Sequence, residues 1–176
     1  TPPATAPITA TLAAPATSRL GVASNWSFTA TADGTPVAGP LYLDLSIPAN
    51  WQFTSVSIGD QLLTCVVGAT TQLRRCTLVG VAASLPTSPG LAGLIVLTPA
   101  AGAGGVAGTL VARVSASASA PSGAFTCGAN ETSCRSASAN PQYVDLVAQP
   151  SPQNNPPTAS TTWSLACTNT GNRATP

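Results

Sequence analysis

The sequence predicts an all-β fold, an antiparallel two-sheet β-sandwich with a long cysteine-containing insertion. Three observations point there. Apolar and polar residues alternate with a period of two through most of the longer runs. Turn signals separate these runs at short intervals, as in Asp33-Gly34-Thr35-Pro36, Gly39-Pro40, Pro48-Ala49-Asn50 and Ser88-Pro89-Gly90. No segment shows a 3.6-residue period with caps, and 17 prolines and 15 glycines recur too often for long helices.

In chain order, residues 1–17 are rich in Pro, Thr and Ala and form an expected N-terminal extended arm. Within it Ile8, Ala10 and Leu12 alternate with Thr9 and Thr11, a strand that either completes its own sheet or adds to a neighbour's exposed edge. The sandwich domain is expected over 18–167. Trp26, Phe28, Ala30 and Ala32 alternate with Asn25, Ser27, Thr29 and Thr31. Leu41, Leu43, Leu45 and Ile47 alternate with Tyr42, Asp44 and Ser46, and Leu110, Ala112 and Val114 with Val111, Arg113 and Ser115. Trp163, Leu165 and Cys167 share a face near the end. Such patterns put one face on a core and one in water. Trp26, Phe28, Leu43, Leu45, Val114 and Trp163 are the expected core. Weaker strands are read over 53–58, 62–67, 75–79, 94–98 and 143–147. The Gly102-Ala103-Gly104-Gly105 run lacks the Lys and Ser of a phosphate loop and reads as a hairpin connection. Residues 115–142 are rich in Ser and Ala, carry two cysteines, and read as an insertion rather than a strand pair. Residues 168–176 read as a polar tail.

Composition narrows the function. Only 6% of the 176 residues are charged, with no Lys, no His and a formal net charge of +1. General acid–base work near neutral pH uses a His, a tuned Lys or a close carboxylate pair. The five acids, Asp33, Asp44, Asp60, Glu131 and Asp145, are scattered. The expectation is therefore no enzyme, no cofactor and no metal site. Asp33, Asp44, Asp60 and Asp145 read as surface solubility, and the adjacent Arg74 and Arg75 as a solvated face near a turn. No basic field exists to attract nucleic acid, and no apolar run is long enough to span a membrane. The chain opens at Thr1-Pro2-Pro3 without Met, which reads as a processed terminus or a boundary.

Five cysteines in such a chain suggest disulfides made in an oxidising compartment, and hence a secreted or cell-surface protein. Nearest-neighbour pairing gives Cys65–Cys76 and Cys127–Cys134, each worth roughly 2–3 kcal/mol in the chain-entropy model. Cys167 is left unpaired, either as a free buried thiol or as a link to something else. Of two sequons, Asn25-Trp26-Ser27 lies in a strand and reads as chance. Asn130-Glu131-Thr132 lies in a polar loop and is the glycosylation candidate. Trp51 follows the Pro48 corner and, with Tyr42 or Tyr143, is a candidate platform for a sugar ligand.

The run from Trp26-Ser27-Phe28-Thr29-Ala30-Thr31 through Leu43-Asp44-Leu45-Ser46-Ile47-Pro48-Ala49-Asn50-Trp51 to Val56 resembles a prokaryotic module. This is the conserved-repeat domain of surface proteins known as domain of unknown function eleven. The cysteine pair at Thr64-Cys65 and Cys76-Thr77-Leu78 fits the same pattern. So does Pro150-Ser151-Pro152-Gln153-Asn154-Asn155 before Ala159-Ser160-Thr161-Thr162. The resemblance covers roughly residues 8–166, and departs at Asp33-Gly34-Thr35-Pro36 and in the insertion. It implies an immunoglobulin-like sandwich in an extracellular protein, with no catalytic residues to carry over. The expected function is a non-catalytic structural protein, subunit of a surface filament or stalk, joined to copies of itself by strand addition. The alternative is an adhesin or carbohydrate-binding module that meets surface glycans through exposed aromatics.

Overall fold

The computed structural model describes residues 7–143, 146–150 and 165–172. The strands are β1 (Ile8–Ala13), β2 (Ser24–Ala32), β3 (Val37–Ala38), β4 (Leu41–Ser46), β5 (Trp51–Ile58), β6 (Gln61–Leu62) and β7 (Cys65–Val67). They continue as β8 (Leu73–Val79), β9 (Ser84–Leu85), β10 (Leu91–Pro99), β11 (Gly108–Ser115), β12 (Cys134–Ala139), β13 (Leu146–Pro150) and β14 (Leu165–Asn169). A single 3-10 turn, Ala101–Ala103, is the only helical element among the described residues.

Two five-stranded sheets make the sandwich, in the orders β1-β2-β10-β5-β6 and β12-β11-β4-β8-β7. Every pairing between named strands is antiparallel. The alternating runs explain the register. Trp26, Phe28, Ala30 and Ala32 of β2 face inward against Leu41, Leu43 and Leu45 of β4, with Val56, Ile95, Leu97, Leu110 and Val114 completing the core. Each large apolar side chain so buried contributes about 1.5–3 kcal/mol relative to exposure. At the Pro48-Ala49-Asn50 corner Asn50 takes φ 62°, a left-handed conformation that Asn tolerates. Its side-chain amide donates to the Gly102 carbonyl at 3.1 Å, and so ties the corner to the 3-10 turn.

Several expected elements differ. The 62–67 strand is two short strands, because the chain changes sheets between them. β6 pairs with β5, whereas β7 pairs with β8. The insertion is shorter than read: Cys134–Ala139 forms β12, the edge partner of β11. Its Ser-Ala alternation is too weakly apolar to announce a strand, and pairing with β11 supplies what the side chains lack. The last strand runs on to Asn169, so the polar tail begins later than residue 168. Of the expected 143–147 strand, β13 is described over Leu146–Pro150, and residues 144–145 lie outside the described residues. The Trp163 core position and Asp145 lie outside the described residues. β13 and β14 pair with each other, as a two-stranded ribbon.

Candidate functional site: the two lateral sides of the sandwich

On one lateral side the two sheets are joined through the insertion. Ala10 N donates to Thr132 O at 2.9 Å, and Thr132 Oγ1 donates to Ile8 O at 2.7 Å. Val114 N donates to Ser133 O at 2.8 Å. Thus β1, already paired with β2 from Ile8 to Ala13, is held on its second edge as well. The Cys127–Cys134 disulfide closes the loop.

Charge reinforces this side. Across the outer face of the second sheet, Arg113 of β11 stands opposite Asp44 of β4, and Asp44 stands opposite Arg75 of β8. Arg75 Nε and Nη2 donate to the two Asp44 oxygens at 2.7 and 2.8 Å, a bidentate pair buried from solvent. Arg75 Nη1 donates to Ser117 O at 2.9 Å, which pins the start of the insertion over the sheet. The hydrogen bond to Asp44 holds Arg75 above its ordinary pKa, against the opposing effect of burial. Arg113 lies 4.5 Å from the Phe125 ring centre and pairs with Glu131, while Gly128 N donates to the Glu131 carboxylate at 3.0 Å. The row Glu131, Arg113, Asp44, Arg75 therefore alternates in sign and fastens the insertion. A groove of about 630 Å³ remains between Pro7, Ile8 and Val37 and the 130–133 turn.

The opposite side is open among the described residues. Here β6 covers only the end of β5, and β7 is the three-residue edge of the second sheet. Thr77 N donates to Thr64 O at 3.0 Å, and Gly68 N donates to Leu73 O at 2.9 Å. These two bonds set the phase of the β7–β8 ladder. Antiparallel alternation then turns the amide groups of Cys65 and Val67 away from β8, toward solvent. Leu62, Val66 and Val67 on this side are 69%, 55% and 60% exposed. Val22, Val81 and Val106 are also exposed, but they stand singly in turns and bends. Arg74 on this side is occupied, since it lies 5.1 Å from the Phe53 ring centre and donates to the Thr71 and Leu73 carbonyls; Asp60, just before β6, is exposed. The Cys65–Cys76 disulfide fastens β7 to β8.

Other expected site residues fall as follows. Ile8 and Ala10 are buried in the core and Leu12 is half-buried, all within their own sheet. Trp51 is not an exposed platform. It is 4% exposed and meets Trp26 edge-on at 5.6 Å, because the corner turns its ring inward over Gly108. A Cβ on Gly108 would overlap the indole nitrogen. Tyr42 is half-buried with the Arg75 guanidinium 4.5 Å from its ring centre, so its face is taken. Asp44 and Arg75 are not a solvated surface but the buried pair just described; only the folded insertion reveals this, since their strand positions read as outward. Asn130 is exposed in a turn closed by the Glu131 N to Gly128 O bond. Cys167 is free, and it is exposed on β14 rather than buried. Among the described residues no three His, Cys, Asp or Glu side chains are grouped to hold a metal ion. Among them, too, no helix is long and apolar enough to cross a membrane.

No protein-family model matches this sequence, and no curated protein matches it. Solved structures do. A cohesin module from a family 33 glycoside hydrolase of Clostridium perfringens superposes with a TM-score of 0.50 at 10% identity, over 62% of this chain and 82% of that one. Two domains of the major pilin SpaD from Corynebacterium diphtheriae give 0.41 at 13%, over 61% and 44%. AvmM, which catalyses macrocyclization in alchivemycin A biosynthesis, gives 0.43 at 15%, over 76% and 87%. The chain is thus a disulfide-bonded β-sandwich, similar in fold to a cohesin module. The likeness is one of fold alone.

Proposed function

We propose that this chain is a non-catalytic extracellular structural module that joins copies of itself by strand addition at the open side of the sandwich. The observation that carries the reading is the β7 edge, which no strand or loop covers among the described residues. Its outward amide groups are flanked by Leu62, Val66 and Val67, and no charged residue lies between Gln61 and Gly68. Edge strands of soluble monomers are ordinarily guarded by lysines, prolines or covering loops. Two disulfides suit an oxidising compartment. Two of the chain's few carboxylates, Asp44 and Glu131, are committed to arginines, which suits a structural role better than a catalytic one.

Sedimentation velocity of the native chain and of Val66→Lys over a wide concentration range tests the proposal. Association that rises with concentration in the native chain and is suppressed by the lysine supports it. A native chain that sediments as a monomer throughout overturns it.

A further inference from the structure

We infer that Asn130 is an N-glycosylation site that takes its sugar before the insertion docks on β1, so that folding of this side sets the share of chains that carry it. The inference goes beyond the self-association proposed above and does not rest on it.

The fold divides the Asn130-Glu131-Thr132 sequon into an open acceptor and an engaged hydroxyl. Asn130 is exposed, and its side-chain amide forms no hydrogen bond with a described residue. It stands in the turn that the Glu131 N to Gly128 O bond closes at 3.1 Å, inside the Cys127–Cys134 loop. It also borders the groove of about 630 Å³ beside Pro7, Ile8 and Val37, so a sugar on its nitrogen extends from the rim of that groove. Glu131 is paired with Arg113 and leaves no uncompensated charge next to the acceptor. A sugar here would add hydration to a chain of which only 6% is charged.

Thr132 is committed elsewhere. Its Oγ1 donates to Ile8 O at 2.7 Å, and its carbonyl accepts from Ala10 N at 2.9 Å. The hydroxyl is what separates Thr and Ser from other residues at the third position of a sequon, so a transferase that reads sequons must hold it. In the folded chain that hydroxyl and the carbonyl of the same residue are both bonded to β1. Ile8 lies 124 positions earlier, so these bonds form only after the insertion has folded back. The disulfide, with a sequence separation of 7, then restrains the loop from opening toward an enzyme. Docking of the turn and reading of the sequon therefore exclude each other.

The transfer itself uses a phosphate-activated sugar, linked to a lipid or a nucleotide. The Asn130 side-chain nitrogen attacks the anomeric carbon. A C–N bond forms there, the C–O bond to the phosphate breaks, and the carrier leaves as its phosphate anion. The nitrogen gives up one proton to a base of the transferase.

Two measurements on the full chain test the inference. Peptide mapping of the chain from its own cells should find a sugar mass on the peptide that holds Asn130, and none after Asn130→Gln. An Asn130 that is bare in the native chain overturns the site. Unmodified chain is then given a soluble asparagine glucosyltransferase with UDP-glucose, either folded or reduced and unfolded just before mixing. Transfer to Asn130 should be several-fold slower in the folded chain. Equal rates overturn the order of events. Neither failure touches the self-association proposed above, which sedimentation decides separately.

Discussion

The two lateral sides of the sandwich use the same uncharged, Ser-, Thr- and Ala-rich chain in opposite ways. On the closed side the edge strand β1 is bonded on both flanks, and Glu131, Arg113, Asp44 and Arg75 run in one row beneath the insertion. On the open side the same row ends at Val66, the cross-strand partner of Arg75, and no loop among the described residues covers it. Charge in this molecule is scarce, and Glu131, Arg113, Asp44 and Arg75 spend part of it in holding a loop down. Among the described residues no chain covers the edge left over, and no charged residue lies between Gln61 and Gly68.

Substitutions should separate the two sides cleanly. Asp44→Ala, on the closed side, should have the largest effect. It leaves the Arg75 guanidinium buried without its partner, a change that costs about 3–5 kcal/mol. Urea unfolding measures it, and a loss below about 1 kcal/mol would mean that water reaches the pair. Replacing Cys127 and Cys134 together by serine releases a loop with a sequence separation of 7. The expected loss is about 2–3 kcal/mol, with faster hydrogen exchange at Ala10 N as the closed side loosens. Unchanged exchange there would show that the loop holds β1 without the disulfide.

Thr132→Val removes one hydrogen bond, to Ile8 O, and should cost about 1 kcal/mol. A thermal melt that does not move would place that carbonyl in water. Val66→Lys, on the open side, should leave stability within about 0.5 kcal/mol while it suppresses association. Chemical denaturation of the variant as a monomer checks the first half. A large destabilisation would show that Val66 packs within its own molecule, and the contrast between the two sides would collapse.

Much of the architecture is legible in the residues because period-two alternation is a local property. Trp26-Phe28-Ala30 and Leu41-Leu43-Leu45 declare strand and inward face together, and the close spacing of Cys65 with Cys76 and Cys127 with Cys134 indicates both disulfides. The signal fails where a residue's surroundings come from far along the chain. Asp44 sits on the outward face of β4, and reads as solvated, yet Ser117 and Arg75 arrive over it from 73 and 31 positions away. Trp51 follows a turn and reads as exposed, yet Gly108 leaves the space that admits its ring to the core. A sign that the 62–67 run is unusual was present, in the consecutive Val66-Val67 that breaks alternation and puts one apolar side chain on each face.

By itself, then, the sequence determines an all-β sandwich, its inward faces, its disulfides and its poverty in charge, because each depends on neighbours within a few positions or on bulk composition. The tertiary structure alone decided which edge is covered. That choice depends on the insertion folding back across β11 and β4, and on a row of four side chains, from three strands of one sheet and the insertion, that meet only when that sheet is formed and the insertion lies over it.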